Sequence, residues 1–314
     1  MEHVRDIDQL QLAASALTIG SFDGVHLGHQ ALIRELATIA RQADVPAVAL
    51  AFFPHPAVVL RGRKPALYIT SPDERAELLG RLGVDVVVTQ TFDRALASVR
   101  AEAFLERLRR HLGFQHLCIG DNFALGRDRE GDRSYLEQVA PRMGFALRVI
   151  PPVQVDGEAL SSSRVRQALR AGDVRRASRY LGRPFELAGK VVRGAGRGHT
   201  LAIPTANLEV WEERALPAHG VYACWAQVGA ERLPAVTNIG TRPTFEGDQL
   251  VPIVEAHLLD FHADLYGTEM RLAFIDRLRG EQRFSGPEEL VAQIRKDIER
   301  TRAVLGARLE GADA

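Results

Sequence analysis

Residues Gly20 to His29 read G-S-F-D-G-V-H-L-G-H and join two stretches of different pattern. The segment before them, from Ala13 to Ile19, is largely apolar, as expected of a buried strand. After them, apolar residues recur at helical spacing, at Leu32, Ile33, Leu36, Ile39 and Ala40. The sequence therefore predicts a strand, a glycine-bearing turn and a helix in that order.

This turn has the chemistry of a phosphate-binding site. Gly20, Gly24 and Gly28 let a backbone come close to a ligand, and the N–H groups of the following helix start favour an anion. His26 and His29 are three residues apart, so their imidazoles are expected to point to the same place. Two histidines at this spacing also occur by coincidence on protein surfaces. A metal site is disfavoured, because no nearby cysteine or carboxylate cluster completes a ligand set.

The same letters resemble the H-x-G-H signature of the nucleotidyltransferase superfamily. In its longer form, G-x-F-D-G-x-H-x-G-H, the motif is similar to the flavin-adenylating branch of that superfamily. The resemblance implies a catalytic role for His26 and His29. It also implies that ligand-binding residues come from the turn itself, namely Gly20, Phe22, Asp23, Gly24 and Gly28.

Length and composition indicate an ordinary globular protein of about two domains. The chain has 314 residues, of which 25% are charged and 46% apolar, and its formal net charge is zero. A neutral chain argues against a large sequence-blind nucleic-acid surface. Cys118 and Cys224 are far apart, so neither a disulfide framework nor a thiolate metal site is implied. The expected partners are small molecules, and self-association stays open.

The amino terminus carries no apolar signal core, and no apolar run reaches membrane-spanning length. Pro54-His55-Pro56 interrupts the best candidate. We therefore expect a soluble cytoplasmic protein without a membrane partner.

Strands and helices alternate after the first turn. Apolar runs at residues 45–53, 84–89 and 117–119 predict buried strands. Ser71 and Pro72 mark a helix start, and residues 101–112 form a second helical pattern. This alternation predicts an α/β doubly wound parallel sheet of Rossmann-like type. Ligands of such sheets bind beyond the carboxyl ends of the strands, where the Gly20 to His29 motif lies.

Two further segments are expected at the same site. Residues 120–126, G-D-N-F-A-L-G, resemble the family's G-x-[D/N]-F-x-F-G loop, with Leu125 in place of the second aromatic residue. Asn122 would hydrogen-bond a phosphate or the nucleotide, although an Asx turn explains it equally well. Residues 160–166, L-S-S-S-R-V-R, resemble the family's I-S-S-T-x-x-R. By that resemblance Ser162, Ser163 and Arg166 contact phosphate, and Arg164 assists them.

The pattern changes near Gly182-Arg183-Pro184, so we predict a domain boundary between residues 183 and 184. Beyond it, segments with period-two alternation predict antiparallel strands that form a small barrel or sandwich. A closing helix is expected to begin at Gly286-Pro287. The predicted domains are thus 1–183 and 184–314.

The second domain has its own motif. Gly194, Gly196 and Gly198 lead into residues 204–207, P-T-A-N, and this combination resembles riboflavin kinase. Residues 238–245, 254–261 and 278–279 provide further matches. The resemblance implies that these glycines bind a ligand, together with Pro204, Thr205, Asn207 and Arg279. Ala202 and Ile203 replace a glycine and an aromatic residue of the family pattern, which affects the expected fit of the ligand.

Phosphoryl transfer needs a hard cation and a base near the attacking hydroxyl. The Thr205 hydroxyl and the Asn207 amide oxygen are suitable Mg²⁺ ligands. Alternation places Glu255 and His257 on one face of a strand, which we expect to turn into the barrel. A carboxylate there is costly unless it is used, so Glu255 is the candidate general base. The alternative is an exposed acid on an edge strand.

The resemblance covers nearly the whole chain and is to the prokaryotic bifunctional riboflavin kinase/FAD synthetase family. It implies that the second domain phosphorylates riboflavin and that the first joins FMN to AMP with release of pyrophosphate. ATP would be the co-substrate of both, and FMN and FAD the products or bound ligands. Two alternatives stay open: a nucleotidyltransferase for another phosphate substrate with a non-catalytic flavin-binding module, and a non-enzymatic flavin sensor.

Overall fold

The computed structural model describes residues 1–62, 67–193, 204–244 and 247–310. The chain divides into two compact units, Met1–Ser162 and Ser163–Ala314. In the described residues, no helix combines the length and the apolar character that crossing a membrane requires.

The first unit alternates strands and helices from its second strand onward. Its strands are β1 Glu2–Val4, β2 Ser15–Gly20, β3 Ala47–Phe53, β4 Val86–Thr91, β5 Phe114–Gly120, β6 Ala124–Leu125, β7 Gly131–Asp132, β8 Ala146–Ile150, β9 Gln154–Val155 and β10 Glu158–Ala159. Its helices are α1 Leu27–Ala43, α2 Pro56–Arg61, α3 Pro72–Arg81, α4 Arg94–Ala97, α5 Ala101–Leu112 and α6 Arg133–Met143.

Six of these strands form one parallel sheet in the order β1-β4-β3-β2-β5-β8. Separate apolar clusters cover its two faces, one with residues of α5 and α6 and the other with residues of α1 and α3. The predicted doubly wound parallel sheet is therefore confirmed. The chain leaves β2 towards β3 on one side and later returns to add β5 on the other. The turn after β2 thus lies at the switch point, where such sheets form their ligand crevice.

Local sequence determines where the two helices beside this crevice begin. The Nδ1 atom of His26 accepts a hydrogen bond from the backbone N–H of His29, which caps α1. Helix α3 is capped by Ser71 and has Pro72 in its first turn, as the sequence predicts. Glu74 completes a capping box with Ser71. Both helix starts therefore present backbone N–H groups at defined places.

The second unit consists of a barrel with helices before and after it. Its helices are α7 Ser162–Arg170, which begins on the last residue of the first unit, α8 Val174–Leu181 and α9 Pro287–Glu310. Its strands are β11 Phe185–Val192, β12 Ala206–Glu209, β13 Gly220–Val228, β14 Glu231–Thr244, β15 Gly247–Leu258 and β16 Glu269–Arg279. They close in the order β11-β12-β15-β14-β13-β16, with antiparallel pairs. The predicted antiparallel barrel and its closing helix are confirmed.

Aromatic rings fill the barrel, and α9 covers part of its outside. Phe274 contacts the rings of Phe185 and Tyr222 at centroid distances of 5.9 and 5.4 Å. Outside, Leu305 of α9 packs in one apolar cluster with Val221 and other barrel residues. Polar side chains of the strands are therefore expected on the outer face or at an end of the barrel.

Candidate active sites

The turn after β2 is shaped by a buried carboxylate. Both oxygens of Asp23 accept hydrogen bonds from the backbone N–H of Ile69, at 3.0 and 3.2 Å. Its Oδ1 also accepts from the N–H of Thr70 at 3.1 Å and from the Thr70 hydroxyl at 3.3 Å. The same hydroxyl accepts the N–H of Gly24 at 3.0 Å. Asp23, predicted to bind a ligand, thus ties the turn to the segment before α3.

A guanidinium completes this cluster. Arg75 of α3 places Nη2 3.8 Å from Oδ1 of Asp23, and the two side chains are 2% and 1% exposed. The charge of a buried carboxylate is costly to maintain without such compensation. No pattern in the sequence indicates this role, because residues 70–75 show only the features of a helix start.

The turn also contains backbone in the left-handed region. Phe22 and Val25 have φ values of 47° and 42°, and Gly24 has 81°. Non-glycine residues with positive φ are uncommon and require support from their surroundings. A Cβ on Gly24 would meet the Ile69 side chain at 2.9 Å, so only glycine fits there without a shift.

The other two glycines of the motif make room for the protein's own rings. A Cβ on Gly20 would lie 2.9 Å from the Phe22 ring, and one on Gly28 would lie 3.1 Å from the His26 ring. These contacts account for small residues at both positions. Their predicted contact with a ligand stays a prediction.

His26 and His29 form a stacked pair. Their ring centroids are 3.7 Å apart with an interplanar angle of 17°, and Phe22 meets His29 edge-on at 5.3 Å. Since Nδ1 of His26 accepts the N–H of His29, a neutral His26 carries its proton on Nε2. The predicted convergence of the two imidazoles is confirmed.

The electrostatic surroundings keep His29 neutral. Burial lowers the pKa of His29 well below 6.5, and the positive charges of His26 and Arg75 lower it further. Its Nδ1 atom is buried and has no hydrogen-bond partner among the described residues. At neutral pH the ring can therefore offer a ligand one N–H donor or one lone pair, without a positive charge.

Of the serine- and arginine-rich segment predicted to reach this turn, the structure brings Ser162 into contact with it. Ser162 donates a hydrogen bond from Oγ to the backbone carbonyl of Asp23 at 2.8 Å, so this residue reaches the turn. Ser163, Arg164 and Arg166 belong to α7 in the second unit, and their phosphate contacts stay predictions.

Asn122 lies on an exposed loop that borders a groove of about 570 Å³. Its carbonyl accepts a hydrogen bond from Arg129 at 3.1 Å, and Arg133 pairs with Asp121 at 2.8 Å. Leu125, in the position of the family's second aromatic residue, is buried in the core under α5 and α6. The loop is thus anchored by an apolar side chain, while the amide of Asn122 stays at the surface.

In the second unit, a row of polar residues crosses three strands. Glu255 of β15 pairs with Asn207 of β12 on one side and with Asn238 of β14 on the other. Paired residues of neighbouring strands project from the same face of a sheet. One carboxylate is therefore flanked by two amides, and all three side chains are partly exposed.

This row faces outward, so the expectation that Glu255 turns into the barrel is wrong. Val254, Ala256 and Leu258 alternate with it and are buried. His257, on the Glu255 face, pairs with Val236, which packs in the cluster that contains Leu305 of α9. The interior of so small a barrel is filled by apolar side chains, which leaves the outer face for the carboxylate.

A pocket of about 370 Å³ lies beside the P-T-A-N segment. Thr205 and Pro204 line one side, and the loop after β15 lines another with Phe261, His262 and Tyr266. His257 donates a hydrogen bond from Nδ1 to the carbonyl of Pro204 at 2.8 Å and so fixes the start of the segment. The family match of residues 254–261 reaches Phe261, and no pattern in the sequence indicates that His262 and Tyr266 line a pocket.

Arg279, predicted to bind a ligand, is held by the closing helix. Its Nη2 lies 2.9 Å from Oδ2 of Asp297 in α9, and its guanidinium lies 5.6 Å from the Phe284 ring centroid. Its ligand contact stays a prediction. Gly194, Gly196 and Gly198 lie outside the described residues, as do Ala202 and Ile203.

The donor set of the second unit suits a hard cation. Thr205, Asn207 and Glu255 offer a hydroxyl, an amide oxygen and a carboxylate, all oxygen ligands of the kind that Mg²⁺ prefers. Within the ranges that the structure describes, no group of three or more histidine, cysteine, aspartate or glutamate residues could hold a metal ion. A softer metal therefore finds no ligand cluster of that type there.

Comparison with known protein families assigns a match to each half of the chain. Residues 8–164 match the family described as FAD synthetase, and residues 181–305 match the family described as riboflavin kinase.

Curated relatives match over nearly the full length. A bifunctional riboflavin kinase/FMN adenylyltransferase of Pseudomonas fluorescens is 39% identical, with 91% of this chain and 92% of the relative covered. The protein of the same description from Escherichia coli K12 is 37% identical, with 94% of each covered. The protein of the same description from Listeria monocytogenes is 34% identical, with 99% of this chain and 98% of the relative covered.

A crystal structure from Streptococcus pneumoniae, described as a macrolide-efflux protein, matches with a TM-score of 0.87 and 30% identity. The match covers 96% of this chain and 98% of that one.

Proposed function

The chain belongs to the family of bifunctional riboflavin kinase/FMN adenylyltransferases, and from that premise we propose which residues carry the two reactions. The enzyme phosphorylates riboflavin to FMN and joins FMN to AMP, with ATP as the co-substrate and FMN and FAD as the products. Family membership sets aside the two alternatives, another phosphate substrate and a non-enzymatic sensor.

The adenylyltransferase domain comprises residues 1–183 and the kinase domain residues 184–314. The matched ranges, which end at residue 164 and begin again at residue 181, support a division of the chain a few residues before this boundary. The segment between residues 163 and 183 consists mainly of α7 and α8. It packs with the second unit, where the carbonyl of Leu169 accepts the N–H of Ala218 at 2.9 Å.

Adenylyl transfer occurs at the turn after β2. An oxygen of the FMN phosphate attacks the α-phosphorus of ATP, a new P–O bond forms, and the bond to the β-phosphate oxygen breaks to release pyrophosphate. The FMN phosphate is already an anion, so no base has to remove a proton. The protein's task is to position the two phosphates and to stabilise the charge that moves to pyrophosphate.

The stacked pair of His26 and His29, with the buried Nδ1 atom of His29 left without a partner among the described residues, is the observation that carries this assignment. His26 and His29 donate hydrogen bonds to phosphate oxygens from a dry site, where such bonds are strong. Asn122, Ser162, Ser163 and Arg166 complete the contacts. The surrounding ligand-binding residues are Gly20, Phe22, Gly24, Gly28 and Arg164. Asp23, predicted together with them, holds the turn through its buried carboxylate.

The kinase reaction occurs beside the row that contains Glu255. Its carboxylate accepts the proton of the ribityl 5′-hydroxyl as that oxygen attacks the γ-phosphorus of ATP, a new P–O bond forms, and the bond to the β-phosphate oxygen breaks to release ADP. Thr205 and Asn207 would hold Mg²⁺, which neutralises phosphate charge when it is bound. The pocket lined by Thr205, Phe261 and Tyr266 takes one of the two organic substrates. Arg279, Pro204 and the three glycines, Gly194, Gly196 and Gly198, assist in ligand binding.

Product analysis tests this assignment when the flavin substrate of each reaction is supplied separately. The purified protein is mixed with ATP and Mg²⁺ and either riboflavin or FMN, and the flavins are separated by chromatography. Riboflavin should give FMN and then FAD, and omission of Mg²⁺ should stop both. Full kinase activity after exhaustive chelation would contradict the Mg²⁺ assignment.

Cytoplasmic location and self-association complete the proposal. Both cysteines are buried and unpaired, which fits a reducing compartment. Light scattering on the purified protein measures its oligomeric state directly.

A further inference from the structure

The residues just before and within α3 contact the catalytic turn, although no motif of the sequence includes them. The backbone N–H groups of Ile69 and Thr70 and the hydroxyl of Thr70 all reach the carboxylate of Asp23. The Thr70 hydroxyl has two partners, since it donates to Asp23 and accepts from the N–H of Gly24. One side chain therefore links two consecutive residues of the turn.

This contact is dry. Thr70 is 3% exposed, and Asp23 and Arg75 are buried as deeply. Hydrogen bonds and charges interact strongly where water is excluded, and a missing partner there is costly. Asp23, Thr70 and Arg75 therefore have one preferred arrangement, and this arrangement determines the backbone conformation of the turn.

The cluster continues to the groups that act on the phosphates. The carbonyl of Asp23 accepts Ser162 Oγ, and the ring of Phe22, the residue before Asp23, packs edge-on against His29. Asp23 thus lies between Ile69 and Thr70, which bond its carboxylate, and Ser162, which bonds its backbone carbonyl. A movement of its carboxylate would move the turn that carries His26.

We propose that Thr70 and Arg75 are positioning residues for FMN adenylylation, which hold the Asp23 carboxylate and thereby set the turn that presents His26 and His29 to the phosphates. Neither residue contacts the reacting atoms. Asp23 in this arrangement acts through its position in the turn. The inference rests on the proposed role of the two histidines.

The test compares a substitution that removes the hydroxyl of Thr70 with one that removes its methyl group. Thr70→Val removes the hydroxyl and keeps the shape, whereas Thr70→Ser keeps the hydroxyl. With FMN and ATP as substrates, Thr70→Val should lower kcat for FAD formation by about 10- to 100-fold, because small displacements of reacting groups have effects of this order. KM should change little, and Thr70→Ser should stay within about threefold of wild type by the same reasoning.

A second pair tests the guanidinium. Arg75→Met should lower kcat for FAD formation in the same way, and Arg75→Lys should restore part of it, because an ammonium keeps the positive charge near Asp23. Kinase activity on riboflavin, measured in the same samples, is the internal control and should stay at the wild-type rate. Thermal unfolding confirms that each variant is folded at the assay temperature.

The outcomes separate this inference from the site assignment. A folded Thr70→Val protein with wild-type kcat overturns the inference, and so does an equal loss in Thr70→Ser. If His29→Ala retains the wild-type rate of FAD formation, the proposed site itself fails. If His29→Ala is inactive while Thr70→Val is fully active, only the positioning role is refuted.

Discussion

The two halves of the chain arrange their proposed catalytic groups in opposite ways. The first places them on a buried turn, where Asp23 and His26 are nearly inaccessible and hydrogen bonds connect neighbouring segments. The second places Glu255 and its two amide neighbours on the partly exposed outer face of a barrel. The carboxylate faces outward, and the barrel interior beneath it is apolar.

The difference follows from the two reactions. The nucleophile of adenylyl transfer is already charged, so the site needs hydrogen-bond donors in fixed positions. A buried turn whose segments are joined by hydrogen bonds supplies them. The nucleophile of the kinase is an alcohol that must lose a proton, so the site needs a base that can pass the proton on. We therefore expect the first site to be sensitive to buried residues away from the substrate, and the second to depend mainly on one carboxylate.

The sharpest test of this contrast is Glu255→Gln, which keeps the shape and removes the base. FMN formation from riboflavin should fall by on the order of 10²- to 10⁴-fold, the usual contribution of a general base. FAD formation from supplied FMN should be unchanged. Glu209→Gln, on an exposed position of the neighbouring β12, is the matched control. Loss of both activities in folded Glu255→Gln would contradict the separation of the two sites.

The second largest effect is expected for His29→Ala. Without this donor, FAD formation should fall by about 10²- to 10³-fold, as for the loss of one hydrogen bond to a developing charge. Riboflavin should then be converted to FMN, which accumulates. His116→Ala, a partly buried histidine of β5, is the control and should form FAD normally. Wild-type FAD synthesis by His29→Ala would remove this histidine from the site.

A smaller effect is expected where the barrel meets its closing helix. Asp297→Asn removes the charge that pairs with Arg279 and leaves a guanidinium that is 15% exposed. The second unit should lose about 1–3 kcal/mol of stability, less than a fully buried pair would. Denaturant unfolding, monitored by kinase activity, measures the loss. The first unit should unfold as in the wild type, and a matching change in FAD synthesis would show that the units are coupled.

The smallest effect concerns the pH dependence of stability in the first unit. His29 has a lowered pKa in the folded state, so the unfolded chain, with a value near 6.5, binds a proton more readily. Stability should therefore decrease as the pH falls below about 6.5 and continue to decrease down to the folded pKa. The pKa of His3 is lowered too, mainly by burial, and contributes with the same sign. Thermal unfolding, measured between neutral and mildly acidic pH, should show that the stability of His29→Gln depends less on pH than that of the wild type. An unchanged pH dependence of stability would contradict the role of His29.

Local patterns predicted much of the first unit. The period of apolar residues located its main strands and helices, and the helix start at Ser71 and Pro72 was visible because the two residues are adjacent. The contact between Asp23 and Thr70 joins residues 47 positions apart and leaves no periodic trace. A buried aspartate in a glycine-rich turn is equally consistent with ligand binding, so the sequence could not distinguish the two roles.

In the second unit, alternation correctly separated Glu255 and His257 from Val254, Ala256 and Leu258. It did not tell which set faces inward, and the expectation that Glu255 turns into the barrel was wrong. The apolar character of the alternate residues was the better signal. The wall formed by Phe261 and Tyr266 depends on how the chain returns beside Thr205, which no local pattern records.

The closure of the barrel has a consequence for the order in which the two activities arise during synthesis. The row through Asn207, Glu255 and Asn238 requires three strands, and the barrel closes through pairs such as Arg271 and Glu186, 85 residues apart. Contacts of such high sequence separation form slowly and cooperatively. The turn with its histidine pair needs only residues up to Ser162, which leave the ribosome first. A newly made chain can therefore assemble its adenylylation turn before the strands of the kinase barrel, the first of which begins at Phe185, are complete.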